Sequence, residues 1–157
     1  MADELPLPAH IDVNGDWDEV KARLYAYFEG VFKASPRIKI RGKVLVHDSR
    51  VVDSDCEEGF WHVVTKGKGE DRLFDPDRAR RLCWIGRMLD GSAPGLTRWS
   101  FQEGDGTTKL YFWLEAEEYV LILTEKPKVV SLVTAFYASA HWVKTDLTKK
   151  RTKGQAF

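Results

Sequence analysis

His62 sits in the run "FWHVVTK", with Trp61 and Val63 on either side and Lys66 four residues on. An imidazole titrates near neutrality, and a fixed ammonium beside it would suit proton transfer next to a developing oxyanion. The run reads as a short strand, which would put His62 and Lys66 on one face and Trp61 and Val63 on the other. The competing reading of a lone histidine is a hydrogen-bonded surface or half-buried side chain with no chemistry.

A cluster of cations follows. Lys66 and Lys68 belong to a glycine-rich loop, and five arginines (72, 78, 80, 81 and 87) lie between Arg72 and Arg87. Arg78 and Arg81 are three residues apart, so on a helix they would be surface neighbours. Paired guanidiniums grip a phosphate bidentately. The plain alternative is a solvated helix face balanced by Asp75 and Asp77. Near the other end of the chain, "SLVTAFYASAHW" places Thr134 inside an apolar run, with Tyr137 and His141 beyond it. A hydroxyl on the open side of a sheet could hydrogen-bond a phosphate oxygen, although threonine is also simply comfortable in strands. Ser131 has the opposite parity, so at most one of Ser131 and Thr134 would face such a site.

These residues need elements to hold them. "NGDWDEVKARLYAYFEGVFKASP" predicts an amphipathic helix capped by Asn14 or Asp16, with Val20, Leu24, Tyr27 or Phe28, and Val31 at helical spacing and Pro36 as the stop. "RIKIRGKVLV" alternates like a strand, with Gly42 a candidate bulge. Asp75–Pro76 predicts a helix start, and one helix is expected to run to about Leu89. From Leu96, four apolar runs separated by "EGDG", "AEE" and "KPK" predict an antiparallel meander, since parallel pairing needs longer crossovers. The expected fold is α+β: a twisted antiparallel sheet of four or more strands with helices packed on one side. Residues 1–35 are expected to form a loose lead-in and the first helix, 36–150 the α+β body, and 151–157 a disordered basic tail.

The chain of 157 residues has room for one core, and it is 43% hydrophobic with six tryptophans. Trp99 and Trp113 are expected in that core. Net charge is zero, yet it is unevenly distributed. Residues 1–35 carry seven acids against three bases, while residues 126–157 carry seven bases against one acid. One consequence would be an acidic amino-terminal segment lying over a basic site. Two cysteines make neither a disulfide framework nor a zinc site, so no metal and no cofactor is expected. No signal-peptide pattern and no membrane-length apolar run is present, so the expected compartment is the cytoplasm, with no membrane partner.

"FWHVVTK", the helix pattern Arg78, Arg81, Trp84 and the strand Val133-Thr134-Ala135-Phe136-Tyr137 resemble the phage- and toxin-associated nucleases of the barnase–EndoU–colicin–RelE superfamily. The likeness spans roughly Phe60 to Lys150, and Phe136 stands where that family often has a hydroxylated aromatic. The resemblance implies a metal-independent ribonuclease that cuts RNA, with tRNA one candidate, by attack of the 2′-OH on the adjacent phosphate. It would make His62 the general acid/base, Lys66 the group stabilising the phosphorane, Arg78 or Arg81 the phosphate holder and Thr134 its orienter. Arg72, Lys68, Tyr137 and His141 would contact RNA. The second proton carrier stays open among Lys66, His141 and Tyr137. A toxin of this kind would also imply an antitoxin or immunity protein as partner. The alternative is a non-catalytic RNA- or protein-binding module on the same scaffold.

Overall fold

In the computed structural model, residues 3–53, 55–67 and 71–157 are described. The first helix, α1, runs Trp17–Phe32, and Asp16 caps it by accepting from the Asp18 amide. Its buried stripe is Val20, Leu24, Phe28 and Phe32. A hairpin follows: β1 (Lys39–Ile40) and β2 (Lys43–Val46). Arg41 and Gly42 both have positive φ, 54° and 80°. That is a two-residue turn whose twist matches the strands, so Gly42 is a turn residue rather than the expected bulge.

Two small hairpins bracket the next helix. Strands β3 (Val51–Asp53) and β4 (Cys56–Glu57) lead into helix α2 (Glu58–Val64), which runs straight into β5 (Thr65–Lys66), paired with β6 (Leu73–Phe74). The single helix expected from Asp75 to Leu89 is broken in three: α3 (Pro76–Ala79), a 3₁₀ turn (Leu82–Trp84) and α4 (Ile85–Leu89). Its predicted start is present, with the Asp75 carboxylate accepting from the Arg78 amide at 3.2 Å.

The meander consists of β7 (Leu96–Gln102), β8 (Thr108–Leu114), β9 (Tyr119–Glu125) and β10 (Val129–Tyr137), all antiparallel neighbours. After helix α5 (His141–Lys153), strand β11 (Gln155–Ala156) pairs with β7. The main sheet has the order β1-β2-β10-β9-β8-β7-β11. Its one parallel pair is β2–β10, so the sheet is mixed rather than purely antiparallel. The tail expected to be disordered is thus helical to Lys153 and ends as a strand.

One sheet face carries Leu110, Phe112, Leu114, Leu121 and Leu123 in a cluster with Phe28, Phe60, Val63 and Ile85. That face holds α1, α2 and α4. The alternate residues Tyr111, Trp113 and Val120 cluster with Trp99 and with Leu147 of α5, so α5 covers the opposite face and the helices are not all on one side as expected. The lead-in is tied down instead of loose. Leu5 and Ile11 donate their amides to Ser92 and Arg80, and Pro6 and Pro8 accept from the side chains of Arg87 and Trp84.

Two features of β10 open a cleft. Pairing with β2 ends at Ser131–Val46, which leaves the rest of β10 without a strand on that side. Val133 is a bulge, since Leu132 pairs with Leu123 but Thr134 pairs with Ile122. A bulge breaks simple alternation and re-aims side chains. Ser131 and Thr134 therefore pair with Thr124 and Ile122, residues of the same parity, where an unbroken strand would alternate them.

Candidate functional site

The run "FWHVV" is a helix, contrary to the strand expected. Phe60, Trp61, Val63 and Val64 are all buried while His62 is not. Adjacent buried pairs separated by one half-buried residue suit a helix packed into a core and cannot come from a strand's alternation. Gly59 makes the packing possible. A Cβ there would lie 2.9 Å from the His47 Cβ, just past the end of β2. The helical turn places Glu58 and His62 at i, i+4, with Glu58 Oε1 3.1 Å from His62 Nε2.

The same carboxylate oxygen accepts from Arg72 Nη2, which approaches from the residues between β5 and β6. The Arg72 hydrogen bond holds the Glu58 carboxyl below the usual carboxylate range, against the opposing effect of burial. Gly67 has φ +86°, and a Cβ on it would meet the Asp71 carbonyl at 2.4 Å, so glycine is needed where the chain turns back towards Arg72.

The end of α2 supplies the opposite wall. The His62 carbonyl, one of those a helix end leaves without an internal partner, accepts from Thr134 Oγ1 at 3.1 Å and from Arg78 Nη1 at 3.0 Å. Arg78 Nη1 also lies 3.4 Å from Thr134 Oγ1. Asp75 is 3.8 Å from Arg78 Nε. Burial disfavours the charged form of Arg78 and lowers its pKa, in spite of the pull of Asp75. Glu58, His62, Thr65, Gly67, Arg72, Arg78, Val133 and Thr134 enclose an open cleft of about 410 Å³. Of the residues that line it, two are guanidiniums and one is a carboxylate, with the Asp75 carboxylate lying behind Arg78. The geometry of the cleft suits an oxyanion beside a proton carrier.

Of the sequence candidates, the structure brings together His62, Arg72, Arg78 and Thr134. Lys66 is exposed while its neighbours Thr65 and Gly67 line the cleft, so it lies outside the lining. The face-sharing expected of His62 and Lys66 fails because α2 ends between them. Lys68 lies outside the described residues. Arg81 is buried as a staple: its guanidinium sits 4.0 Å from the Tyr137 ring centroid and donates to the Asp77 carbonyl. Tyr137 gives its hydroxyl to Glu118 at 3.0 Å. His141 is exposed on the first turn of α5 and does not line the cleft. No residue of 3–35 lines it either, so the acidic front segment does not cover it.

Glu58 is the site residue that sequence reading missed. The signal was the Glu58–His62 spacing, which has meaning only on a helix. Among the described residues, no group of three or more His, Cys, Asp or Glu side chains is placed to hold a metal ion. No helix is long and apolar enough to cross a membrane among those residues. Comparison with protein-family models, with curated proteins and with solved structures finds no match.

Proposed function

We propose that the chain is a metal-independent endoribonuclease of toxin or phage-effector type, with the Glu58–His62 pair as its proton carrier. The observation that supports this reading is the convergence of a carboxylate-held histidine and two arginines on one open cleft, from three separate stretches of chain. The 2′-oxygen of RNA bonds to phosphorus while the pair takes its proton. The 5′-oxygen leaves and receives a proton from the same pair, giving a 2′,3′-cyclic phosphate and a 5′-OH end. Arg72 and Arg78 offset the charge that builds on the non-bridging oxygens. Thr134 positions Arg78 and the end of α2 instead of touching substrate. RNA, with tRNA one candidate, is the substrate, the cytoplasm is the working compartment, and an antitoxin or immunity protein would cap the cleft.

The test is incubation of purified protein with tRNA and mixed RNA in EDTA, with end-group analysis of any product. His62→Ala should lower the cleavage rate by about 10²–10⁴-fold, the range for loss of a general acid/base. One observation favours the alternative of a non-catalytic RNA-binding module: His62 Nε2 is engaged by Glu58, and Nδ1 is buried with no hydrogen-bond partner. RNA binding without any cleavage would decide for that alternative.

A further inference from the structure

Trp142 is 75% exposed, more than any other large hydrophobic residue among those described. It lies on the first turn of α5, while Val143 and Leu147 of that helix face the sheet and hold it in place. The core therefore has no use for Trp142. Beside it is a slot of about 320 Å³ that includes Phe136, Tyr137, Val143 and Lys150 in its lining. Lys149 and Lys153 are exposed on the same helix.

The slot and the cleft are separate hollows that neighbour each other along β10. Val133 and Thr134 line the cleft, and Phe136 and Tyr137, two and three residues further along β10, line the slot. Arg78, a cleft residue, lies 5.8 Å from the Phe136 ring centroid. Three residues of strand cover about 10 Å, and no strand pairs with this part of β10 on the outer side.

We infer that the slot beside Trp142 takes a base of the RNA strand that leaves the cleft, stacked on the indole. Stacking on an aromatic ring is tolerant of base identity, and a nearby cation suits a phosphate that accompanies the base. Lys150 is paired with Glu103 and with Asp146, which also lines the slot, so the nearest exposed cation left for a phosphate on this helix is Lys149, from which an apolar peptide would gain nothing. The inference rests on the ribonucleic-acid reading of the cleft and extends it with a subsite for a flanking nucleotide.

The experiment is fluorescence anisotropy with labelled, non-cleavable 2′-O-methyl oligonucleotides of two and eight nucleotides, on wild-type protein, Trp142→Ala and Trp142→Phe. Wild-type protein should bind the longer probe more tightly. Trp142→Ala should lose roughly 5- to 100-fold for that probe, as expected for one stacked base, and be unchanged for the dinucleotide. Trp142→Phe should recover most of the loss. Equal affinity of wild type and Trp142→Ala for the longer probe overturns the subsite alone. Binding of neither probe by wild-type protein overturns the subsite together with the reading on which it rests. Trp142 is 75% exposed, and circular dichroism and urea titration of Trp142→Ala separate a folding defect from a lost base contact.

Discussion

Arg78 and Arg81 are chemically identical and three residues apart, yet their surroundings give them different work. Arg78 reaches the cleft, donates to the His62 carbonyl and faces Thr134. Arg81 is 9% exposed and sits over the Tyr137 ring with Trp84 nearby. A partly desolvated cation over an aromatic ring contributes up to about 2 kcal/mol. Arg81→Ala should therefore lower unfolding free energy by about 1–3 kcal/mol in urea titrations, by losing the ring contact and part of the packing. On the proposed ribonuclease reading, cleavage by the protein that remains folded should be unchanged. Arg78→Ala should do the reverse to function, abolishing cleavage under conditions where circular dichroism shows the fold intact. Thr134→Val keeps the shape but removes one of two donors to the His62 carbonyl. It should cost about 1 kcal/mol of stability, the usual net worth of one hydrogen bond. Its effect on RNA affinity should be smaller than that of Arg78→Ala.

At the scale of elements, α2 shows where local sequence and final structure disagree. Its valines and aromatics favour strand, and Gly59 is unfavourable inside a helix by about 1 kcal/mol. The helix forms because four of its residues reach the core together and because Gly59 lets it press against His47. This makes Gly59→Ala a test with an unusual sign. In an open helix that change would stabilise by about 1 kcal/mol. Here the new Cβ would meet buried His47 atoms at 2.9–3.0 Å. Overpacking costs about 1–3 kcal/mol, so the variant should unfold at lower urea than wild type. The meander was legible for the opposite reason. Four apolar runs with connections of a few residues leave antiparallel neighbours as the only economical pairing. The Asp75 cap was legible because it is local chemistry. The parallel β2–β10 contact, the bulge at Val133 and the placement of α5 were not, since each depends on partners far away in sequence. The same holds for the site: His62, Arg72, Arg78 and Thr134 could be chosen by residue type, while Glu58 and the exclusion of Lys66 required knowing that α2 is a helix.

At the scale of the whole molecule, a second polar cluster ties α1 to the elements that carry the cleft. Glu57, next to Glu58 but turned inward, accepts from Tyr25 of α1 at 2.5 Å and pairs with Lys33 at 3.4 Å. His47 lies 3.5 Å from the other oxygen of Glu57 and is wedged against Phe28 and Phe32. Burial pushes the His47 imidazole below its ordinary range, and the Glu57 charge only partly opposes this, with Lys33 and Arg37 adding to the downward push. The sign of the linkage follows. In the unfolded chain His47 takes up a proton below about pH 6.5, whereas in the folded protein it resists doing so until the pH is lower. Its stabilising contribution is complete above that value and falls as pH drops through the window beneath it. The melting temperature should accordingly decline between pH 7 and pH 5, before the carboxylates titrate. His47→Gln, which cannot titrate, should flatten that part of the curve even if its stability at pH 7 is lower. A wild-type melting temperature that stays level from pH 7 to pH 5 would contradict this account. Because Gly59 rests directly on His47 and Glu58 begins the same helix, charging His47 would disturb the seat of α2. On the proposed ribonuclease reading, RNA cleavage should then weaken over the same pH interval in which the melting temperature falls.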